Sequence, residues 1–451
     1  MKFQVVNPST GEVFAHAREC TSEQLDAAMA AAADAQRSWS QDESERRLAM
    51  KKAAAAVDAE VDRIAAVLTA EQGKPLALAR REVSGVATRL RWFADLELGP
   101  EVLQDDDRGR VEILRRPLGV VAAITPWNFP VGLAGWKIAP ALRAGNTVVL
   151  KPSPVTPLAT LLLGDVLGDA LPAGVVNVVT GGDDLGAHMV QHPVTRKVSF
   201  TGSVGAGIAV NQAAAAGLKR VTLELGGNDP AVVLDDADPA AIANGLFWGA
   251  FMNTGQACAA VKRVYVPARL HDAVVDALAA IASTVRVGDP TDEATQLGPL
   301  STLPQLRRVT ELVDDARRHG AVAAAGGHAV DGPGYFFEPT VLTGVGDGVR
   351  VVDEEQFGPV LPVVPYRDLD DALASANATR FGLGSSVWTA DPERGAEVAA
   401  RIDAGMTWVN AHPVSSVEHP FLGVKSSGVG VENGIWGLHT FTDMHLVSRP
   451  A

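Results

Sequence analysis

The sequence predicts an α/β fold built on parallel sheets and divided into two or more domains. One reason is the length of 451 residues, because a single hydrophobic core stops growing well below this size. Another is composition: 47% of the residues are hydrophobic and 20% are charged, which favours a well-buried globular chain over a disordered one. The third is the alternation of short β-branched runs with longer alanine-rich stretches, which is typical of strands joined by crossover helices.

The β-branched runs are each short enough to be one buried strand. They are Thr147 to Leu150, Val175 to Val179, Lys197 to Phe200, Val221 to Leu225, Ala231 to Leu234, Arg263 to Val266 and Thr407 to Asn410. The predicted helices are Pro157 to Ala170, Gly205 to Ala216, His271 to Val285, Pro304 to His319, Leu369 to Ala378 and Pro392 to Ala404. Strands separated by helices in this way are expected to lie parallel.

Two further segments have extended character and little turn chemistry. They are Arg110 to Ile124 and the tail from His439 to Val447. We expect both to pair in an antiparallel sheet, within the chain or across a subunit boundary.

Charge and cysteine content exclude several functional classes. The net charge of −14 disfavours a nucleic-acid surface, which needs clustered Lys and Arg. The chain has only two cysteines, Cys20 and Cys258, so we expect no disulfide framework. We expect instead a reducing, cytoplasmic setting. The start of the chain resembles no signal peptide, and no apolar run approaches the length of a membrane span. We expect no membrane partner and no metal, since no His, Cys, Asp or Glu group has ligand spacing.

Cys258 is the most informative single residue. It lies in the segment FWGAFMNTGQACAAVKRVYV, where small neighbours leave the sulfur unhindered and Thr254-Gly255 ends the preceding apolar helix. A thiol catalyses as its thiolate, so this reading predicts an accessible thiol with a lowered pKa. Taken alone, a cysteine among alanines is more often small core filling.

Two other polar residues follow apolar strands. Asn128 stands between two prolines in TPWNFP, where a stiff backbone would hold its amide as a donor for a developing alkoxide. Glu224 ends the run in LELGG, where burial would raise its pKa toward that of a general base. Without context, an asparagine that bonds its own turn is the commoner reading of Asn128.

Two segments suggest a nucleotide site. Lys151 follows a strand at the edge where open α/β sheets bind nucleotides. Gly202-Ser203 joins a strand to a helix, whose first N–H groups suit a phosphate. The pattern is not GxGxxG, so by itself it is also compatible with a tight connection.

These segments, in this order, resemble the aldehyde dehydrogenase superfamily from about Val6 to Val447. The matching motifs are NPSTGEV, TPWNFP, AGNTVVLKPS, KVSFTGS, TLELGGNDP, NTGQAC, EEQFGPV, and WVN with FLGVKSSG. The resemblance implies an aldehyde dehydrogenase-like fold with three parts. These are a parallel-sheet NAD(P)-binding domain at 1–98 and 118–226, an α/β catalytic domain at 227–426, and a small β oligomerisation flap at 99–117 and 439–451.

The resemblance also implies roles for individual residues. The family's nucleophile falls on Cys258, its general base on Glu224 and its oxyanion donor on Asn128. Its cofactor contacts fall on Pro126, Trp127, Lys151, Ser153, Pro154, Gly182, Gly202, Ser203, Gly207, Glu355 and Phe357. The substrate pocket is expected to include Leu133, Trp136, Met252 and His412, the last as a structural or pocket-wall residue and not as a catalyst.

The implied reaction is oxidation of a small-molecule aldehyde to a carboxylic acid with NAD or NADP, through a thiohemiacetal and a thioester on the cysteine. Members that release acyl-CoA commonly lack the glutamate of LELGG, so a CoA-acylating enzyme is the second reading and a non-catalytic descendant of the fold the third. Where many NAD-preferring members carry a glutamate, this chain has Pro154, and we expect no acidic side chain to repel a 2′-phosphate. A homodimer or homotetramer is also implied.

Overall fold

The computed structural model describes residues 2–451 and has the predicted α/β architecture. The strands are β1 (Lys2–Asn7), β2 (Glu12–Arg18), β3 (Glu101–Asp106), β4 (Gly109–Pro117), β5 (Val120–Ile124), β6 (Thr147–Lys151), β7 (Val176–Val178), β8 (Thr195–Thr201), β9 (Arg220–Glu224), β10 (Asp229–Val233), β11 (Val261–Pro267), β12 (Val322–Ala325), β13 (Thr340–Thr343), β14 (Val360–Tyr366), β15 (Ser386–Trp388), β16 (Trp408–Val409), β17 (Gly428–Val429) and β18 (Thr442–Arg449). The helices are α1 (Ser22–Trp39), α2 (Glu43–Ala59), α3 (Val61–Gln72), α4 (Leu76–Asp95), α5 (Pro130–Arg143), α6 (Leu158–Ala170), α7 (Asp183–Gln191), α8 (Val204–Ala215), α9 (Pro239–Phe251), α10 (His271–Ala282), α11 (Leu303–Arg318), α12 (Arg350–Asp353), α13 (Leu369–Asn377), α14 (Pro392–Ala399) and α15 (Gly434–His439). Short 3-10 helices lie at Met252–Gly255 and Lys425–Ser427.

The first large sheet has the strand order β17-β9-β8-β5-β6-β7, and its strands run parallel except for β17 against β9. Alternate residues of β5 enter opposite cores. Val121 and Ala123 pack on one face of the sheet, and Val120 and Ala122 pack on the other. Both faces are therefore covered, which explains why β5 is a continuous apolar run.

The second large sheet has the order β12-β13-β14-β11-β10-β15-β16, with only the β12–β13 pair antiparallel. Its inner strand β10 also divides its side chains between two cores, with Val232 on one face and Ala231 and Val233 on the other. The segment from Leu225 to Asn228 runs directly from β9 of the first sheet to β10 of the second. The two sheets therefore meet just after Glu224.

A third, antiparallel sheet has the order β18-β4-β3. The tail strand β18 pairs along β4, from Thr442 opposite Pro117 to Arg449 opposite Arg110. The expected antiparallel pairing of the two extended segments is confirmed for this part, but their bounds were wrong. Gly119, with φ +126°, separates β4 from β5, so the second half of the first segment belongs to the six-stranded parallel sheet. His439 ends α15, and the tail strand begins three residues later.

The predicted strands and helices are present, and the differences are at their ends. The helix expected to run to Val285 stops at Ala282, because the hydroxyls of Ser283 and Thr284 donate back to the carbonyls of Ala280 and Ile281. No helix in the described part of the chain is both long and apolar enough to cross a bilayer. The domain boundaries proposed from the sequence stay a prediction.

Candidate active site

A cavity of about 970 Å³ opens at the carboxyl ends of the first parallel sheet, facing the second sheet. Glu224 ends β9 and Lys151 ends β6, with β8 and β5 between them, so the two residues lie on the order of 14 Å apart across three strand spacings. Twelve of the predicted residues line the cavity. They are Pro126, Trp127, Asn128, Lys151, Ser153, Pro154, Gly202, Ser203, Glu224, Cys258, Glu355 and Phe357.

Lys151 and the start of α8 form one end of the cavity. Lys151 Nζ donates to the carbonyl of Gly181 at 2.8 Å, and burial lowers the pKa of its ammonium group. The Ser203 hydroxyl caps α8 by accepting from Ala206 N at 3.3 Å, which leaves the N–H groups of the first helical residues free for an anion. This end can therefore bind negatively charged groups.

Two glycines expected to contact a cofactor do not line the cavity. Gly207 faces inward from α8, where an added Cβ would collide with the Leu225 side chain, so its role is close packing. Gly182 is the N-cap of α7, and the next residue, Asp183, lines the cavity instead. The charge of Asp183 acts on Lys151 and raises its pKa against the effect of burial. An acidic side chain therefore lies in the cavity near this lysine although Pro154 stands where many members carry a glutamate, and the expectation that no carboxylate repels a 2′-phosphate stays a prediction.

Glu355 and Phe357 lie near the other end. Glu355 Oε1 accepts from the backbone N–H of Gly227 at 3.1 Å. A Cβ added at Gly226 would lie 2.5 Å from Glu355 Oε2, so any larger residue there would displace the Glu355 carboxylate. The Phe357 ring contacts Trp127 edge-to-face, with centroids 5.3 Å apart.

Cys258 lies on a rigid connection between α9 and β11. After α9 ends at Phe251, Asn253 and Thr254 adopt left-handed φ values of +52° and +58°. The side chain of Gln256 then fixes the segment, since its Oε1 accepts from Ser301 N at 2.8 Å and its Nε2 donates to Asn253 O at 3.1 Å. These contacts hold the thiol at the cavity wall.

The thiol of Cys258 is not the low-pKa group that its small neighbours suggested. Burial raises its pKa well above the ordinary value, and the adjacent Glu224 carboxylate raises it further. The pKa of Glu224 is itself raised to about 8, first by burial and then by the charge of Glu432. Cys258 and Glu224 thus form a coupled pair in which ionisation of one opposes ionisation of the other.

Hydrogen bonds hold both the side chain and the backbone of Asn128. Its side-chain Nδ2 donates to the carbonyl of Gln256 at 3.0 Å, which ties the amide to the loop that carries the thiol. Its backbone carbonyl accepts from Lys74 Nζ at 2.8 Å and from Asn253 Nδ2 at 3.1 Å. One hydrogen of the Asn128 amide stays available for a substrate oxygen.

Sequence reasoning missed two buried ion pairs beside this centre. Lys74 pairs with Glu82, whose Oε1 also accepts from Val131 N at 3.0 Å at the start of α5. Lys137 pairs with Glu432 at 2.6 Å behind Glu224. The available signal was a single charged residue inside an otherwise apolar helix, as in WKIAPAL around Lys137.

The four residues expected in the substrate pocket lie outside this cavity. Trp136 is nevertheless close to the nucleophile, because it and Cys258 pack against the same small cluster of Ala259, Leu383 and Phe421. Leu133 lies on the same helix and is buried, and Met252 is half-buried at the end of α9.

His412 was expected to form a pocket wall, but its side chain is fully buried, with Nε2 3.6 Å from an Asp229 carboxylate oxygen. Burial lowers the pKa of His412 to about 3, so its ring is neutral. It is therefore a buried structural residue, the other role expected for it, and it does not line the described cavity.

Comparison with known proteins matches residues 1–447 to the Aldehyde dehydrogenase family. A curated protein from Cereibacter sphaeroides, named betaine aldehyde dehydrogenase, is 40% identical over 450 residues, which cover 98% of this chain and 92% of that protein. The chain belongs to the aldehyde dehydrogenase family.

Solved structures of aldehyde dehydrogenases agree with this assignment. A putative aldehyde dehydrogenase from Burkholderia cenocepacia superposes with a TM-score of 0.96 at 39% identity, covering 100% of this chain and 94% of that one. An NAD⁺ complex of an aldehyde dehydrogenase from Bacillus cereus gives a TM-score of 0.96 at 35% identity, with coverage of 100% and 93%. The family and fold class predicted from the sequence motifs are confirmed.

Proposed function

We propose that this member of the family is a hydrolytic enzyme, which oxidises an aldehyde to a carboxylic acid with NAD or NADP through a thioester on Cys258. The observation that carries the proposal is the grouping of Cys258, Glu224 and Asn128 in the same elongated cavity as Lys151 and the start of α8. A nucleophile, a base and an oxyanion donor thus share one cavity with an anion-binding end.

The cavity suits a dinucleotide cofactor in size and in the chemistry of its walls. Lys151 and Ser153 would hold the adenosine ribose, and the free N–H groups at the start of α8 would hold the pyrophosphate. Trp127, Glu355 and Phe357 would surround the nicotinamide riboside. When bound, the nicotinamide accepts the hydride that the substrate carbon loses.

The first half of the reaction depends on Cys258 and Asn128. The Cys258 thiol gives up its proton to solvent water, and the sulfur adds to the aldehyde carbon. The resulting alkoxide accepts hydrogen bonds from Asn128 Nδ2 and from the backbone N–H of Cys258, a type of contact worth about 3 kcal/mol per donor. Loss of hydride from this carbon leaves a thioester on Cys258.

The second half depends on Glu224. Its carboxylate takes a proton from a water molecule, which attacks the thioester carbon. The C–S bond then breaks, the carboxylic acid is released, and Glu224 passes its proton to the departing sulfur, which restores the thiol. A raised pKa suits this role, since a base works best when its pKa lies near the operating pH. Lys137 and Glu432 stand behind Glu224 and set its electrostatic surroundings.

The presence of Glu224 favours hydrolysis over CoA acylation, because release to CoA needs no carboxylate at that place. All three catalytic groups are retained, and a non-catalytic descendant would be free to lose them. These two alternatives differ from the proposal in their products, so product analysis separates them.

The antiparallel sheet supports the proposal of a homodimer or homotetramer. Both of its outer strands, β3 and β18, have free edges within the described chain, and they carry exposed apolar residues such as Leu103, Met444 and Leu446. A cytoplasmic setting is also proposed, on the ground that both cysteines are free thiols.

The test is an assay of the purified chain with aliphatic, aromatic and semialdehyde substrates, each with NAD and with NADP. We expect the absorbance of reduced nicotinamide to rise and a free carboxylic acid to form, with no dependence on CoA. Reduction that requires CoA and yields a thioester would identify the acylating alternative. No reduction with any aldehyde would support the non-catalytic one.

A further inference from the structure

Arg89 lies near the catalytic thiol but belongs to none of the groups assigned above. It projects from α4 over the indole of Trp136, with its guanidinium carbon 4.7 Å from the ring centroid. Trp136 contacts Phe421 edge-to-face at 5.0 Å, and Phe421 belongs to the cluster against which Cys258 packs. Two aromatic rings thus connect the guanidinium to the surroundings of the sulfur.

The guanidinium of Arg89 lacks a full set of protein partners. Its Nε is buried and has no hydrogen-bond partner among residues 2–451. Burial lowers the pKa of Arg89 to about 10, which still leaves it protonated at neutral pH. A buried charged donor without an acceptor is costly, so such a group commonly meets its acceptor on a ligand.

The local charge is positive. Glu432 is the carboxylate whose field acts on Arg89, and the same carboxylate acts on Lys137 and Lys197. Its Oε1 already accepts from Lys137 at 2.6 Å. Glu432 is therefore shared by two charged groups, Arg89 and Lys137, and by Lys197, whose pKa burial lowers to about 7.

The side of the guanidinium that faces Gly85 is not covered by another side chain. Gly85 stands one helical turn before Arg89 on α4. A Cβ built on Gly85 would have Arg89 Nη1, at 3.8 Å, as its only neighbour within 4 Å. The small residue leaves the guanidinium edge open on that side.

We propose that Arg89 binds a carboxylate at the end of the substrate remote from the aldehyde, so that the substrate class is aldehydes with a terminal carboxylate. This inference rests on the proposed dehydrogenase function. A planar guanidinium with free N–H groups matches a carboxylate in shape and charge. The curated relative from Cereibacter sphaeroides is named for betaine aldehyde, and the quaternary ammonium of that compound would be repelled by Arg89.

The experiment compares kcat/KM for three aldehydes: succinate semialdehyde, the neutral butanal of equal chain length, and betaine aldehyde. Each is measured with the wild-type enzyme, with Arg89→Met and with Arg89→Lys. Arg91→Met is the matched control, since Arg91 lies on the same helix in an exposed ion pair with Asp58.

For the wild type we expect succinate semialdehyde to exceed butanal by about 10- to 100-fold, the range for a charge-assisted hydrogen bond. Arg89→Met should remove this preference, mainly through KM, and leave butanal within about threefold of its wild-type value. Arg89→Lys should restore part of the preference, and Arg91→Met should keep all of it.

Three outcomes would overturn the inference. They are a wild-type enzyme that oxidises butanal or betaine aldehyde at least as well as succinate semialdehyde, an Arg89→Met variant with unchanged preference, and an equal loss with all three aldehydes. The wild-type comparison is informative even if the variant does not fold. Absence of activity with every aldehyde would instead count against the dehydrogenase function.

Discussion

Cys258 and Glu224 are two acidic groups in one buried site, and each makes the other harder to ionise. The ordinary pKa of a glutamate is 4.5, and in the folded chain that of Glu224 is about 8. At a pH between these two pKa values, Glu224 keeps its proton in the folded chain and loses it in the unfolded chain. The contribution of Glu224 to stability is therefore fully present below about pH 4.5 and is lost as the pH rises to about 8.

The first prediction is that activity has the opposite pH dependence. Glu224 acts as a base only when ionised, so steady-state turnover should rise as the pH increases through about 8. Glu224→Gln should remove this rise together with most of the turnover. A wild-type profile of kcat that is flat between pH 6 and about pH 9 would show that Glu224 is not the titrating base.

The second prediction concerns Asn128, whose amide is fixed by Gln256 and whose backbone is fixed by Lys74. Asn128→Ala should lower kcat/KM on the order of 100- to 1,000-fold, the scale for loss of one preorganised oxyanion donor. Cofactor binding should change little, which a fluorescence titration can check. Normal chemistry with weaker aldehyde binding would assign Asn128 to substrate positioning only.

The third prediction concerns Asp183, which lies in the cavity close enough to Lys151 to affect its pKa. A carboxylate there repels the 2′-phosphate of NADP, so the wild type should prefer NAD. Asp183→Asn should shift the ratio of kcat/KM toward NADP by about tenfold, equivalent to about 1.4 kcal/mol. Asp184→Asn is the control, since Asp184 is exposed and does not line the cavity. A preference for NADP in the wild type, or an equal shift in both variants, would contradict this role.

Helices α3 to α5 hold the oxyanion donor through the buried pair of Lys74 and Glu82. Lys74 donates to the Asn128 carbonyl, and Glu82 accepts from the first N–H groups of α5. Both side chains are almost completely buried. The pair therefore links the end of α3 to the turn that carries Asn128.

The fourth prediction is that Lys74→Met lowers the free energy of unfolding by about 3–5 kcal/mol, because it leaves the Glu82 charge buried and unpaired. It should also lower kcat by loosening the Asn128 turn. Arg80→Met is the matched control, since Arg80 forms an exposed pair with Asp62 that is worth at most about 1 kcal/mol. Urea unfolding of both variants measures the difference. Equal effects in the two variants would show that the buried pair does not support the turn.

The secondary structure could be predicted because buried parallel strands are continuous runs of β-branched residues. The neighbouring strands with which each strand pairs could not be predicted, since the propensity of a segment to be extended carries no information on its pairing. Val120–Ile124 shows this clearly, because it continues the extended pattern of β4 in sequence but pairs with β6 and β8 in the structure. Pro117, the last residue of β4, and Gly119 mark the break.

At the scale of the whole molecule, the proposed catalytic groups come from the two different large sheets. Glu224 ends a strand of the first sheet, and Cys258 precedes a strand of the second, with only Leu225 to Asn228 between the two sheets along the chain at this point. The identity of these residues could be predicted from their motifs. The raised pKa of Cys258 could not be predicted, because it depends first on burial of the thiol and then on the charge of Glu224, which only folding brings next to it.

The fifth prediction separates the role of Cys258 in forming the thioester from the role of Glu224 in hydrolysing it. Glu224→Gln enzyme, mixed with cofactor and aldehyde, should give a burst of reduced nicotinamide of about one per active site and then turn over slowly. The peptide that carries Cys258 should gain the mass of the acyl group in quenched samples. Cys258→Ala is the control and should show neither burst nor adduct.

This burst experiment with mass analysis of Cys258 tests the account most directly. We predict an acyl thioester on Cys258 that accumulates when Glu224 is replaced and disappears quickly in the wild type. An acyl group on another residue, or an equal loss of burst and steady-state rate without any adduct, would contradict covalent catalysis followed by Glu224-assisted hydrolysis.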